Sequence, residues 1–393
     1  MQTPSGVESS AVVPPSVLFV SKPIAPPFHD GTKCLVRDVV THLTRVQATV
    51  LSTPSAPPLG SNPRIRMARV YSNAGAFAPG LSENLRAALW VLARSRADVW
   101  HFVFAPNRRT STVGRWLGRL RRRPIVQTIA SPPRSFASPN ELLFGEVVVA
   151  QSRWTRDNID AAYAASGGVP PQLEVIPPPV PSRLERSVEE RERVRAELDL
   201  PKEARVFVYP GDLETSRGAE IAAAIAGRLG RMLPDAIVVF AYRRKTSRAA
   251  EVAQRLSARL DPAHVRFACE LPDVLSLIAS AEAVLFPVDD LFGKVDIPIV
   301  LLESMALGVP IVAYEGGPLA ELIGAERLPT LEAEAWIPPL VRLSTDSEAR
   351  RERIEAQRRA VEERHSADRV AAAYEALYEE LSHRGARGGG RRA

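Results

Sequence analysis

The chain has 393 residues, 45% of them hydrophobic and 24% charged, the proportions of an ordinary water-soluble protein long enough for two domains with separate cores. Its two cysteines, Cys34 and Cys269, lie far apart in sequence, which excludes a disulfide framework or cysteine metal cluster and fits a reducing cytosol. The net charge of +6 would admit nucleic acid, but no aromatic-basic platform accompanies it, and no nucleic-acid partner is expected.

Residues 1–15 are polar and proline-bearing, without the basic and apolar regions of a signal peptide, and read as a disordered N-terminus. No apolar stretch approaches the ~20 residues of a membrane-spanning helix. Val17-Leu18-Phe19-Val20 reads as a first buried strand. A proline-rich loop, 21–32, ends in Asp30-Gly31-Thr32, and a helix from Lys33 through Leu43 follows, with Cys34, Leu35, Val39 and Leu43 on its apolar face. Further strands are predicted at 65–70, 99–104, 125–129 and 147–150, alternating with helices as a parallel sheet demands. Within this half, the stretch 108–123 sets Val113, Trp116, Leu117 and Leu120 at helical spacing among many arginines. Its preferred reading is a sheet-packing helix with a solvated face; the other is peripheral contact with a membrane.

Successive prolines in Val175-Ile176-Pro177-Pro178-Pro179-Val180-Pro181 prevent a helix and mark a passage between domains. A charged helix over 187–198 leads into a second unit. Its first strand, 206–209, is joined by the loop 210–218, with Gly211 and Arg217, to a helix over 219–229. Strands at 236–240, 283–287 and 311–313 complete the reading, with Lys294 and the Arg243-Arg244-Lys245 cluster as weaker cationic candidates. Residues 346–381 are predicted helical, with Ala371, Tyr374, Leu377, Tyr378 and Leu381 on one face, and 382–393 as a disordered tail.

One acid interrupts the most apolar run of the chain. Asp296 can cap a short helix, Pro298 suits its first position, and Gly308 with Pro310 ends it. Glu303 sits among Leu301, Leu302, Met305, Ala306 and Leu307, where an unpaired charge would cost on the order of several kcal/mol. Either a protein donor or a ligand hydroxyl must satisfy it. The free N–H groups of Ile299 and Val300 at the helix start favour an anion, and Glu303 lies one turn deeper on the same face. One ligand could touch both, with phosphate at the helix start and hydroxyls at the carboxylate. Gly316-Gly317, after the next strand, would let backbone approach the same ligand.

Glu303-Ser304-Met305-Ala306-Leu307-Gly308-Val309-Pro310, then Gly316-Gly317 and Glu321, resembles the donor site of retaining GT-B glycosyltransferases of family four, the glycosyl transferases group 1. Asp98-Val99-Trp100-His101 and Gln151-Ser152-Arg153-Trp154-Thr155 are similar to further segments of that family. The resemblance implies an α/β fold of two Rossmann-like, doubly wound parallel-sheet domains facing a cleft. These would be an acceptor domain at 16–180, a linker and leading helix at 181–204, a nucleotide-sugar domain at 205–345, and a segment at 346–381 returning to the first domain.

It further implies that Glu303 binds ribose hydroxyls, that Gly31 and Gly211 approach the donor, and that Arg217 holds the diphosphate where the family has lysine. The family's first acid falls at Val295, with Asp296 one residue late; its loop arginine is Asp212 here, and its histidine after Ile129 is absent. The expected reaction is metal-independent, retaining transfer from a nucleoside diphosphate sugar to a hydroxyl acceptor, without a cofactor, in the cytoplasm or at the inner membrane face. The adjacent pair Asp289-Asp290 is not spaced as a metal motif. The alternatives are a binding or partner subunit without turnover and a sugar-nucleotide epimerase, the latter disfavoured by the Glu303 motif.

Overall fold

The computed structural model describes residues 14–28, 30–72 and 79–389, so the readings for 1–13, for 73–78 and for the last four residues lie outside it. The first domain is a seven-stranded parallel sheet in the order β3-β2-β1-β4-β5-β6-β7. Its strands are β1 (Ser16–Val20), β2 (Gln47–Ser52), β3 (Ile65–Arg69), β4 (Val99–Phe104), β5 (Ile125–Ile129), β6 (Val147–Ala150) and β7 (Gln172–Val175). The second is a six-stranded parallel sheet in the order β10-β9-β8-β11-β12-β13. It contains β8 (Arg205–Pro210), β9 (Ala236–Tyr242), β10 (Val265–Cys269), β11 (Ala283–Phe286), β12 (Ile311–Tyr314) and β13 (Glu326–Leu328). Both orders reverse beside their first strand, between β1 and β4 and between β8 and β11, where doubly wound sheets open a crevice.

The central strands are β-branched and buried on both faces, Val147-Val148-Val149 and Ile237-Val238-Val239 for example, because helices cover the sheet on each side. Four strands were not read from sequence. β7, β10 and β13 are partly exposed edges, and the polar Gln47, Thr49 and Ser52 dilute the apolar signal of β2. Several helices start where a short polar side chain takes the first free amides: Asp30, Asn107 and Ser152 in the first domain, and Ser187 with Glu190 as a capping box before the helix Val188–Glu197.

The C-terminal segment is not one helix. Ser347–Ala360 packs against the second domain, a π-helical turn follows at Val361–His365, and Ala367–Gly389 returns to the first. The break falls where the chain crosses. There Val180 donates to the His365 carbonyl (2.8 Å) and Ala367 donates to the Val180 carbonyl (3.0 Å), so the two crossings lie side by side. The returning helix runs to Gly389, so the expected disordered tail is helical over most of its length.

Tyr374 and Tyr378 enter the first domain's core against Phe19 and Val103. His101 bridges them: one ring nitrogen lies 2.7 Å from the Tyr378 hydroxyl, the other 2.7 Å from Thr128, and Thr128 meets Tyr374 at 3.0 Å. Burial pushes the imidazole down to about 3, so it is neutral and serves structure. No helix among the described residues is long and apolar enough to cross a membrane.

Candidate functional site

The two sheets aim the carboxyl ends of their strands at a cleft of about 1040 Å³. The loop after β1 supplies Lys22, Phe28, Asp30 and Gly31; the loops after β8 and β9 supply Gly211, Asp212 and Arg243. The approach to the helix Ile299–Leu307 supplies Lys294, Val295 and Pro298, with Ile299, Val300 and Glu303 from the helix itself. Gly31, Gly211, Lys294, Ile299, Val300 and Glu303 are thus brought together. Glycine is required at Gly211, where a Cβ would lie 2.7 Å from the Tyr209 hydroxyl.

The helix Ile299–Leu307 starts one residue later than its sequence signals imply. Pro298 occupies the N-cap, no side chain caps the helix, and its first amides open on the cleft. Glu303 accepts no hydrogen bond from any described residue, and burial, reinforced by the charge of Asp38, pushes its carboxyl up to about 7. Arg37, from the helix Gly31–Thr41, opposes that rise, but its guanidinium is committed to Asp38 at 2.6 and 2.9 Å. An acceptor at the cleft wall beside an uncapped helix start suits a ligand with hydroxyls at one place and an anion at the other.

Cations collect where that anion would lie. Asp212 is buried and bound by Lys294 (2.5 Å), Lys245 (2.6 Å) and Arg243 (3.5 Å). Burial would raise its carboxyl, but Lys294 and Lys245 outweigh that and hold it well below the usual carboxylate range. Burial lowers Lys294 in turn, with Asp212 opposing. Across the cleft, Lys22 pairs with Asp30 at 2.8 Å, and Asp30, depressed chiefly by Lys22 against the effect of burial, also feels Arg243. Lys22, Arg243 and Lys294 thus meet Asp30 and Asp212 in the cleft between the domains, while Lys245 holds Asp212 from outside the cleft lining. Asp212 stands where the resemblance implies arginine, so the positive charge reaches the cleft from Lys294 and Arg243 instead.

Four expected residues, Asp296, Arg217, Gly316 and Gly317, lie outside the cleft lining. Val295 rests against the first domain, with Cγ1 3.3 Å from where a Cβ of Gly31 would sit, and Asp296 is turned away from the cleft. Asp296 is fully buried, accepts from the Ser152 hydroxyl at 2.7 Å, and is pushed up to about 6 by burial. It neither caps the helix nor lines the cleft. Arg217 is exposed and paired with Asp289 at 2.9 Å, outside the cleft lining.

Gly316 and Gly317 belong to an interdomain seam. Gly317 is left-handed at φ 61° and lies beside Trp154, while Glu321 accepts from the backbone N–H groups of Arg153 (3.1 Å) and Trp154 (2.8 Å). Ser131 adds a bond to the Lys294 carbonyl at 2.7 Å. Asp30, open in sequence between a site residue and a helix cap, both caps the helix Gly31–Thr41 and lines the cleft. Arg37 and Lys22 were not singled out because nothing local sets them apart, and only the packing of the two domains brings them to the cleft. Among the described residues no group of three or more His, Cys, Asp and Glu side chains is placed to hold a metal ion.

Two doubly wound parallel sheets facing a cleft, tied by a returning C-terminal helix, define a GT-B fold. Residues 190–360, which take in the second domain, match the family model for glycosyl transferases group 1. No curated protein sequence matches the chain. Among solved structures it is similar to HepE from Anabaena in complex with UDP-glucose, at 16% identity over 94% of this chain and 99% of that one, with a TM-score of 0.69. It is also similar to sucrose-phosphate synthase from Thermosynechococcus elongatus, at 17% identity over 94% and 99% with a TM-score of 0.66. WaaG, a glycosyltransferase involved in lipopolysaccharide biosynthesis, aligns at 15% identity over 92% and 99% with a TM-score of 0.63.

Proposed function

We propose that the protein is a retaining glycosyltransferase that moves a sugar from a nucleoside diphosphate sugar to a hydroxyl acceptor, without a metal, on the cytoplasmic side. The observation that carries this reading is the meeting of Glu303, the uncapped amides of Ile299 and Val300, and the cations Arg243 and Lys294 beside Asp212 on one cleft wall. Ribose hydroxyls would donate to Glu303, and the diphosphate would lie between the helix start and Lys294. HepE, solved with UDP-glucose, supports a nucleotide-sugar donor. In the reaction the bond from the anomeric carbon to the diphosphate oxygen breaks, and a bond to the acceptor oxygen forms on the same face. The acceptor proton passes to the departing diphosphate, whose growing negative charge the amides and Lys294 stabilise.

Thermal unfolding of wild type and Glu303→Ala with UDP, GDP, ADP and TDP tests this. A rise in midpoint with one diphosphate, lost in the folded variant, is expected and names the base. No rise with any of them in folded wild type rejects the donor site. A second reading, binding or partnership without turnover, draws on Val295 in place of the family's first acid and on Arg217 being engaged by Asp289. Labelled donor that binds but is never consumed, with or without an acceptor panel, would favour it.

A further inference from the structure

Two neighbouring helices of the first domain, Leu81–Arg94 and Arg108–Arg121, both expose apolar side chains. Leu81, Leu85 and Leu89 recur every fourth residue and are 56–78% exposed; Val113, Trp116 and Leu120 form a second stripe at 45–55%. Isolated exposed apolar residues are ordinary, but six on adjacent helices make a patch that calls for a partner. Charge indicates which kind. Residues 81–123 hold ten arginines against two acids, Glu83 and Asp98, a balance of +8 in a chain whose total is +6, so the remainder carries −2. A helix face with leucines and a tryptophan flanked by arginines is the composition that lies flat in a lipid headgroup layer.

The stripes also run into the cleft. Leu81, Leu85 and Val113 line its first-domain side, where Phe102, Phe104 and Leu117 make an apolar floor opposite the cationic wall. We propose that this two-helix face seats the protein on an anionic lipid surface, with the cleft mouth at the membrane edge, so that the acceptor is a membrane-borne molecule with an apolar tail. The docking face stands without the donor reading; only the acceptor's role rests on it.

The experiment is sedimentation of the full chain with vesicles of phosphatidylcholine alone or with 30% phosphatidylglycerol added, at low and high salt, without donor. Binding is expected with the anionic vesicles, together with a blue shift of tryptophan fluorescence that Trp116→Phe lacks. Arg119→Ser, Arg121→Ser and Arg122→Ser together should weaken partition by on the order of a hundredfold, from about 1 kcal/mol per arginine near such a surface. Leu89→Ser with Leu120→Ser, both outside the cleft lining, should abolish the shift while leaving the thermal midpoint in place. Absence of binding to anionic vesicles, equal binding to neutral ones, or unchanged binding in both variant sets would overturn the proposal. So would a wild-type dimer that Leu89→Ser and Leu120→Ser dissociate, since a second copy would then cover the face. A diphosphate-induced rise in midpoint, measured separately, reports on the donor reading alone.

Discussion

Glu303 carries a tension between stability and binding. Its carboxyl sits at about 7 in the fold but titrates near the ordinary value when unfolded, so between those values the folded chain holds the extra proton. Stability from this group is therefore full below the ordinary range and is lost as pH rises toward and past 7. Glu303→Gln should accordingly stabilise the ligand-free protein at pH 8, by on the order of 1–3 kcal/mol in urea unfolding. The cognate diphosphate should bind wild type more tightly at pH 8 than at pH 6, because only the carboxylate accepts from both ribose hydroxyls, and the variant should lose that dependence. A variant less stable than wild type at pH 8 would show that Glu303 already has its partner inside the protein. Asp212 behaves in the opposite sense: its depressed carboxyl is ionised at neutral pH and ties Lys294 and Lys245 into one buried group. The cationic wall is thereby pre-assembled before any anion arrives.

At the scale of elements, the returning helix Ala367–Gly389 is fastened by one carboxylate. Glu375 is buried and accepts from the backbone N–H groups of Thr44 (2.6 Å), Arg45 (2.5 Å) and Val46 (3.3 Å), with Arg45 Nε at 3.2 Å. Burial would raise its carboxyl, but these donors hold it below the usual range, so its contribution is present above that range and fades as pH falls through the depressed value. Glu375→Ala leaves those amides without their acceptor and should cost about 2–4 kcal/mol. Faster hydrogen exchange confined to Ala367–Gly389 and β1 would confirm that the helix has come loose; unchanged exchange there would refute the fastening role.

The apolar face of this helix, from Ala371 to Leu381, was legible in sequence because its period is local. So was the pairing of Glu303 with the amides of Ile299 and Val300, which one short segment contains whole. Asp296 and Gly316-Gly317 went astray because orientation decides them: consecutive residues point to opposite sides, and the glycine turn is drawn to the seam, where Gly317 lies beside Trp154 and Glu321 of the same turn accepts from the Arg153 and Trp154 amides. No single-chain pattern encodes a contact between domains, which is also why Arg37 went unnoticed.

For the molecule as a whole, the seam through Asp296 and Glu321 bears on closure. Asp296 Oδ1 has no hydrogen-bond partner among the described residues, and its carboxyl is held up at about 6 by burial, with Glu321 adding a smaller push in the same direction. Parting the domains there would admit water and return the group toward its ordinary value. The closed form thus binds the extra proton between the ordinary range and about 6, and closure weakens as pH climbs past it. The radius of gyration from X-ray scattering should be smaller at pH 5 than at pH 8 in wild type and flat across that range in Asp296→Asn. A wild-type radius that does not change would mean the seam stays shut whatever its charge.

The returning helix has one more consequence, in time rather than space. The core around Phe19, His101 and Thr128 is completed by Tyr374 and Tyr378, residues that leave the ribosome about 270 positions after β4 does. The domain translated first is therefore finished last, and until the final helix emerges its sheet waits with one flank of the core unsealed.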